Sequence, residues 1–197
     1  MARPQSADYA QRREAIVEKA AELFAAKGFN GASMAELAAA CETSKSLFYH
    51  YHPSKEDVLH AVMASHIDQL ASDVEDVERL GAGPADRLAA LIRTFMDHYV
   101  GAASRQKVLL NELVHLPADR RKAIVEKQRM VIDAVQRLLC AVHPALGANQ
   151  DRAKVETMLL FGMINWTHTW FDPEGPVSAD EVADMVVERA LAPMKTA

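Results

Sequence analysis

Apolar residues recur at three- and four-residue spacing along almost the whole chain, and stretches that alternate strictly between apolar and polar are nearly absent. That periodicity predicts an all-α protein. The first stripe, Ile16, Ala20, Leu23 and Phe24, defines a helix over about 8–27, with Gly28 placed to close it. Ser33-Met34-Ala35-Glu36 has the Ser-x-x-Glu form of a capping box, in which hydroxyl and carboxylate each satisfy a backbone amide at a helix start. A short second helix therefore spans 34–40. Thr43-Ser44 offers a new N-cap, a third helix covers 45–51, and Pro53 stops it. Ser54 caps a long fourth helix, 54–80, whose inward stripe is Val58, Leu59, Val62, Met63, Ile67 and Leu70.

Gly81-Ala82-Gly83-Pro84 is the clearest later boundary, and Pro84 stands at the first position of a fifth helix carrying Leu88, Leu91, Ile92, Phe95, Met96 and Tyr99. Further helices are expected over 105–115, 119–142, 151–171 and 178–191, which makes nine. The expected organisation is 1–55 as a helix-turn-helix domain, the fourth helix as connector, and 56–197 as a second domain built as a helical bundle.

Charge changes this picture. The 197-residue chain carries a net −5, which by itself argues against a nucleic-acid partner. Residues 1–55, however, hold seven Lys/Arg against six acids, so the acidity belongs to 56–197, and no acid lies between Thr43 and Lys55. Half the residues are hydrophobic, an ordinary globular composition, and no apolar run approaches the roughly 20 residues of a membrane span. With no signal-peptide pattern at the start, a cytoplasmic protein without membrane association is expected. Cys41 and Cys140 stand alone, so neither a disulfide, a metal site nor a cofactor is expected. The eight histidines show no Glu-x-x-His repeat, phosphate loop or nucleophile signature, which leaves no case for an enzyme.

Two short helices joined by a tight turn behind a longer helix form the geometry that places a recognition helix in the major groove of DNA. Ser44, Lys45, Ser46, Tyr49 and His50 would be the outward donors. An ordinary helical hairpin with a polar face fits the spacing as well.

The run Ala21-Glu22-Leu23-Phe24-Ala25-Ala26-Lys27-Gly28-Phe29-Asn30-Gly31-Ala32-Ser33-Met34-Ala35-Glu36-Leu37-Ala38, followed by Ser44-Lys45-Ser46-Leu47-Phe48-Tyr49-His50-Tyr51-His52-Pro53-Ser54-Lys55-Glu56, resembles the DNA-binding domain of the tetracycline-repressor (TetR/AcrR) family over residues 12–63. The resemblance implies a homodimeric repressor of double-stranded DNA that reads a palindromic operator and is released by a small-molecule effector. It implies phosphate contacts from Ser33 and Lys55, phosphate or base contacts from Lys45, Tyr49 and Tyr51, and base-edge readers at Thr43, Ser44, Ser46 and His50. Three positions depart from the family pattern: Cys41-Glu42-Thr43 in the turn, Leu47 for a small polar residue, and His52 for a phenylalanine. Glu42 stands where a left-handed backbone is expected, at a cost of roughly 1 kcal/mol. His52 is expected to pack inward. Arg3, Arg12 and Arg13 are candidates for an N-terminal arm on DNA.

In the bundle, Phe95, Met96, Tyr99, Leu113, Met130, Met163, Trp166 and Trp170 are candidate effector contacts, each with core packing as the plainer alternative. The segment from Phe161 to Pro176 resembles the acyl-CoA-responsive branch of the family, which implies an apolar tail and an anionic nucleotide. Arg93, Arg105, Lys107, Arg129 and Arg137 are available as cations. One stripe of the eighth predicted helix (Val155, Leu159, Gly162, Trp166) and one of the ninth (Val182, Met185, Val186, Arg189) are expected to form the dimer interface. A constitutive DNA-binding regulator, or an activator on the same scaffold, is the alternative.

Overall fold

The computed structural model describes residues 5–193, with side chains from residue 11 onward, so Arg3 lies outside the described residues. The elements are α1 (Gln5–Gly31), α2 (Met34–Ala40), α3 (Lys45–Tyr51), α4 (Lys55–Glu78), α5 (Pro84–Gly101), α6 (Ala103–Asn111), α7 (Ala118–Val142), α8 (Pro144–Gly147), α9 (Gln150–Asn165), α10 (Thr167–Trp170) and α11 (Ala179–Leu191). A 3₁₀ turn, Leu113–His115, precedes α7. Among the described residues there is no strand, and nine helices have seven residues or more.

The chain forms two compact units. One holds the chain up to Ile67 together with Ser104–Ile124, and the other holds Asp68–Ala103 together with the chain from Val125 onward.

In the first unit the α1 stripe Ile16, Val17, Ala20, Ala21 and Phe24 is buried, as are Leu37, Phe48, Val58, Leu59 and Val62 of the next three helices. The capping box before α2 is formed. Ser33 N–H donates to Glu36 Oε2 at 2.9 Å, and Glu36 N–H donates to Ser33 Oγ at 3.2 Å. Gly28 breaks α1 with φ 70 and ψ 168, a region only glycine occupies without strain. Segment 104–124 is tied to this unit by polar contacts spaced far apart in sequence. Arg105 reaches from α6 to Glu18 of α1 at 2.8 Å and also pairs with Glu14. The His66 ring bonds Gln106 Oε1 at 2.7 Å, Phe29 N–H donates to Glu112 at 3.2 Å, and Arg120 pairs with Asp57. The Phe29 and His115 rings stack at 4.8 Å between centroids.

The second unit is organised around α5 and α11. Leu88, Leu91, Ile92, Phe95, Met96 and Tyr99 of α5 are buried, with Val182, Val186 and Val187 of α11 and Leu160, Phe161 and Ile164 of α9. Phe95 lies 6.0 Å from Tyr99 and 6.4 Å from Phe161 between ring centroids. At the edge of this packing Arg93 donates twice to Asp184, at 2.9 and 2.8 Å. A second capping box, Ser178 with Glu181, starts α11.

The sequence pattern runs one helix over 151–171, whereas the structure ends α9 at Asn165 and adds the single turn α10. The cause is local. Thr167 Oγ1 donates to Ile164 O at 2.7 Å, Thr169 Oγ1 donates to Trp166 O at 2.7 Å, and His168 Nδ1 lies 2.6 Å from Asn165 O. Three side chains in succession compete for carbonyls that the next helical turn would use. Apolar spacing carries no trace of such competition. The same limit applies to α8, a single turn started by Pro144 in a stretch expected to be loop.

Candidate nucleic-acid interface

Phe48 is fully buried and fixes the orientation of α3. Lys45, Ser46, Leu47, Tyr49 and His50 are consequently exposed, while Tyr51 is half-buried. Ser44 caps the helix, its Oγ accepting Leu47 N–H at 3.2 Å, and so is engaged structurally as well as exposed. Thr43 is half-buried in the α2–α3 turn. That turn passes through Glu42, whose φ of 50 is the expected left-handed conformation. A glutamate is kept there, with its side chain in solvent, and the turn closes through Glu42 N–H to Ala39 O at 3.1 Å and Thr43 N–H to Ala38 O at 3.2 Å.

His52 ends α3 and is buried, with no hydrogen-bond partner for Nε2. Burial, aided by the charge of Arg13 and opposed by Asp57, pushes its pKa below the usual 6.5, so the ring packs as a neutral group behind the helix. Phe48 is its aromatic neighbour, at 6.1 Å between centroids. Lys55 does more inside the fold than its sequence position suggests. Its Nζ donates to Phe29 O at 2.8 Å and Ala32 O at 2.9 Å, and sits 4.2 Å from the centroid of the Phe29 ring. Two of its three donors thus hold the α1–α2 connection.

Ser33, expected at a phosphate, is exposed, with its hydroxyl in the capping box. The Glu36 carboxylate of that box is held at about 2 by hydrogen bonds from Lys27 first and Ser33 second, so it stays charged and pairs with Lys27 at 2.6 Å. A cleft of about 540 Å³ opens beside α3, lined among others by Arg12, Lys19, Cys41, Glu42, Ser44 and Leu47. Burial raises the Cys41 thiol to about 11, which makes it a poor nucleophile. Exposed Arg12 and Arg13 lie on α1.

The expected effector residues are not brought together. Phe95, Met96 and Tyr99 are core residues of the second unit, and Leu113 is a half-buried residue of the first. Met130, Met163, Trp166 and Trp170 are exposed, Trp166 by 64%. Met130 lines an open groove of about 320 Å³ between α4 and α7, with Val74, Glu75, Glu78 and Arg137. Of the cations, Arg93 pairs with Asp184, Arg105 with Glu14 and Glu18, and Arg137 with Glu78, while Lys107 and Arg129 are exposed. The residues expected at a dimer interface divide in the same manner. Val155, Leu159, Gly162, Met185 and Arg189 face outward, whereas Val182 and Val186 are buried within the protomer. Together with Met158, Met163 and Trp166, the outward residues of α9 make an exposed apolar face.

Residues 16–62 match the family model described as bacterial regulatory proteins of the tetR family. Residues 81–194, more than half the chain, match the tetracyclin repressor-like C-terminal domain. The chain belongs to the TetR family of transcription regulators. A TetR-family transcriptional regulator from Bordetella parapertussis 12822 is 40% identical and superposes with a TM-score of 0.86, over 91% of this chain and 93% of that one. AibR, solved in complex with isovaleryl coenzyme A and operator DNA, is 28% identical with a TM-score of 0.78, over 93% of this chain and all of that one. The uncharacterized HTH-type transcriptional regulator YuxN of Bacillus subtilis is 32% identical over 92 residues, a match that spans 45% of this chain and 32% of that protein. The TetR family is one of DNA-binding regulators rather than enzymes. Among the described residues no helix of this TetR-family chain is long and apolar enough to cross a membrane, and no group of three or more His, Cys, Asp or Glu could hold a metal ion.

Proposed function

We propose that the protein is an effector-responsive repressor that binds a palindromic operator as a homodimer through α3 and is released from it by an acyl-CoA. The observation that carries the DNA assignment is α3 itself: a seven-residue helix anchored by Phe48, with Lys45, Ser46, Tyr49 and His50 outward in a stretch without acids. A helix of that width enters the major groove, where phosphate contacts position it and base contacts give specificity. Ser33 and Lys55 are the positioning contacts, Lys45, Tyr49 and Tyr51 contact phosphates or base edges, and Thr43, Ser44, Ser46 and His50 are the reading set. The acyl-CoA assignment is supported by the 28% identity, along the full length, to a protein solved with isovaleryl coenzyme A and operator DNA.

In this proposal the acyl chain enters the second unit beside Phe95, Met96 and Tyr99. Those side chains are packed with no exposed surface to spare, so a ligand is accommodated only when α5 and its neighbours part. Such a ligand binds the opened form better than the closed one, which is the condition for it to shift a population. The α4 and α7 helices each contribute residues to both units and carry the shift. Two copies associate through the apolar face of α9 with Met185 and Arg189 of α11.

The test is equilibrium binding of the full-length protein to a DNA duplex selected from a random pool, titrated with short- and medium-chain acyl-CoAs, coenzyme A and the free acids. Release by an acyl-CoA and not by coenzyme A or the acid alone is expected. A duplex that stays bound with every ligand overturns the acyl-CoA assignment and leaves DNA binding standing.

A further inference from the structure

Leu47 is an aliphatic residue on the outward surface of α3, 36% exposed, among side chains that are otherwise hydrogen-bonding: Ser44, Lys45, Ser46, Tyr49 and His50. Isolated exposed leucines are common on protein surfaces and call for no explanation alone. Its setting is what makes this one informative. It cannot turn inward, because Phe48 fills the buried position of the helix and Leu47 lies about 100° around from it. Its backbone is held by the Ser44 cap, whose Oγ accepts the Leu47 N–H at 3.2 Å. On its own flank of α3 stand Ser44 and Tyr51, three residues before and four after, and all three line the cleft beside α3 together with Arg12, Lys19 and Glu42, Lys19 being paired with Glu22 at 2.9 Å. With α3 lying in the major groove, an exposed side chain on its outward surface stands against the base edges or the backbone that borders them, and Leu47 is the aliphatic one there.

Among the base edges exposed in the major groove, the apolar group is the C5 methyl of thymine, and the other features are hydrogen-bond donors and acceptors that an aliphatic side chain leaves unsatisfied. We propose that Leu47 reads a thymine methyl in each half-site of the operator, selecting thymine both by covering its methyl and by disfavouring bases that present only polar atoms there. This rests on the assignment of α3 as the recognition helix.

The experiment scans the duplex selected by the full-length protein, replacing thymines one at a time with deoxyuridine, which pairs identically and lacks only the methyl. Affinities are measured for the wild type and for Leu47→Ala, whose helix content and thermal midpoint are compared with wild type to establish that it is folded. Loss of one covered methyl corresponds to a drop of about three- to tenfold in affinity. The expected result is that drop at one thymine per half-site in the wild type and no drop at that thymine in Leu47→Ala, with other thymines behaving alike in both proteins. The inference is overturned if the wild type tolerates uridine throughout, if the selected site has no thymine with this behaviour, or if Leu47→Ala keeps the full sensitivity. Failure of the wild type to select any duplex is a different outcome, and it overturns the recognition-helix assignment itself.

Discussion

Lys45 and Lys55 stand ten residues apart at either end of one motif, yet the structure gives their ammonium groups different work. Lys45 is exposed at the start of α3, whereas Lys55 holds Phe29 O and Ala32 O and covers the Phe29 ring. Lys55→Ala should lower unfolding free energy by about 2 kcal/mol, the worth of charged hydrogen bonds and a partly buried cation–π contact, as read by urea denaturation. Lys45→Ala should leave stability within about 0.5 kcal/mol, weaken every duplex alike, and reduce the salt slope of DNA binding by about one. A Lys45→Ala protein with unchanged salt slope would remove that residue from the phosphate contacts. At His52 the prediction concerns pH. The unfolded chain takes up a proton near pH 6.5, more readily than the buried ring, so acid favours unfolding. The stability due to neutral burial is complete above about pH 6.5 and is lost as the pH falls toward the depressed folded value. His52→Phe removes this proton linkage, so its thermal midpoint should exceed that of the wild type by more at pH 5.5 than at pH 7.5. A gap independent of pH would contradict the account.

At the scale of elements, the two backbone bends on either side of α2 follow opposite backbone logic. Gly28 uses a conformation that only glycine tolerates, with Glu112 Oε1 3.4 Å from where a Cβ would stand. Glu42 bears a left-handed φ that glycine would hold without strain. Glu42→Gly should therefore stabilise the protein by about 0.5–1 kcal/mol without loss of DNA binding, and destabilisation in a denaturant titration would show that the glutamate is needed in the turn. Both bends were legible from the sequence, as were the Ser33 cap and the inward stripes of α4 and α5, because each depends on residues within a turn of one another. What spacing could not reveal is the set of contacts that binds segment 104–124 to the first unit. Arg105 meets Glu14 and Glu18 across about ninety residues, and Glu112 meets Phe29 N–H across 83. No local signal marks such pairs. The partition of Val182 and Val186 from Met185 and Arg189 was hidden for a related reason: four residues of one helix stripe look equivalent until the protomer's own α5 has taken some of them.

At the scale of the molecule, an acidic chain carries a DNA-reading motif because its charges are segregated, with the acid-free stretch of 43–55 centred on α3. The exposed apolar face of α9, with Leu159 60% exposed beside Val155 and Trp166, is the surface on which the proposed dimer rests. If the proposed dimer forms through this face, the wild type sediments as a dimer and Leu159→Asp as a monomer of unchanged helix content, and a monomeric wild type would refute the interface assignment. In the proposed dimer, two copies of α3 matched to successive major grooves would stand roughly 34–36 Å apart. The central claim is that α3 is the recognition helix, and the most direct measurement of it is the affinity of wild type and Tyr49→Ala for one selected palindromic duplex. Tight binding of two protomers per palindrome by the wild type and a loss of about tenfold or more in Tyr49→Ala at unchanged thermal midpoint are expected. Equal affinities for the two proteins, or no palindrome selected at all, would contradict that claim.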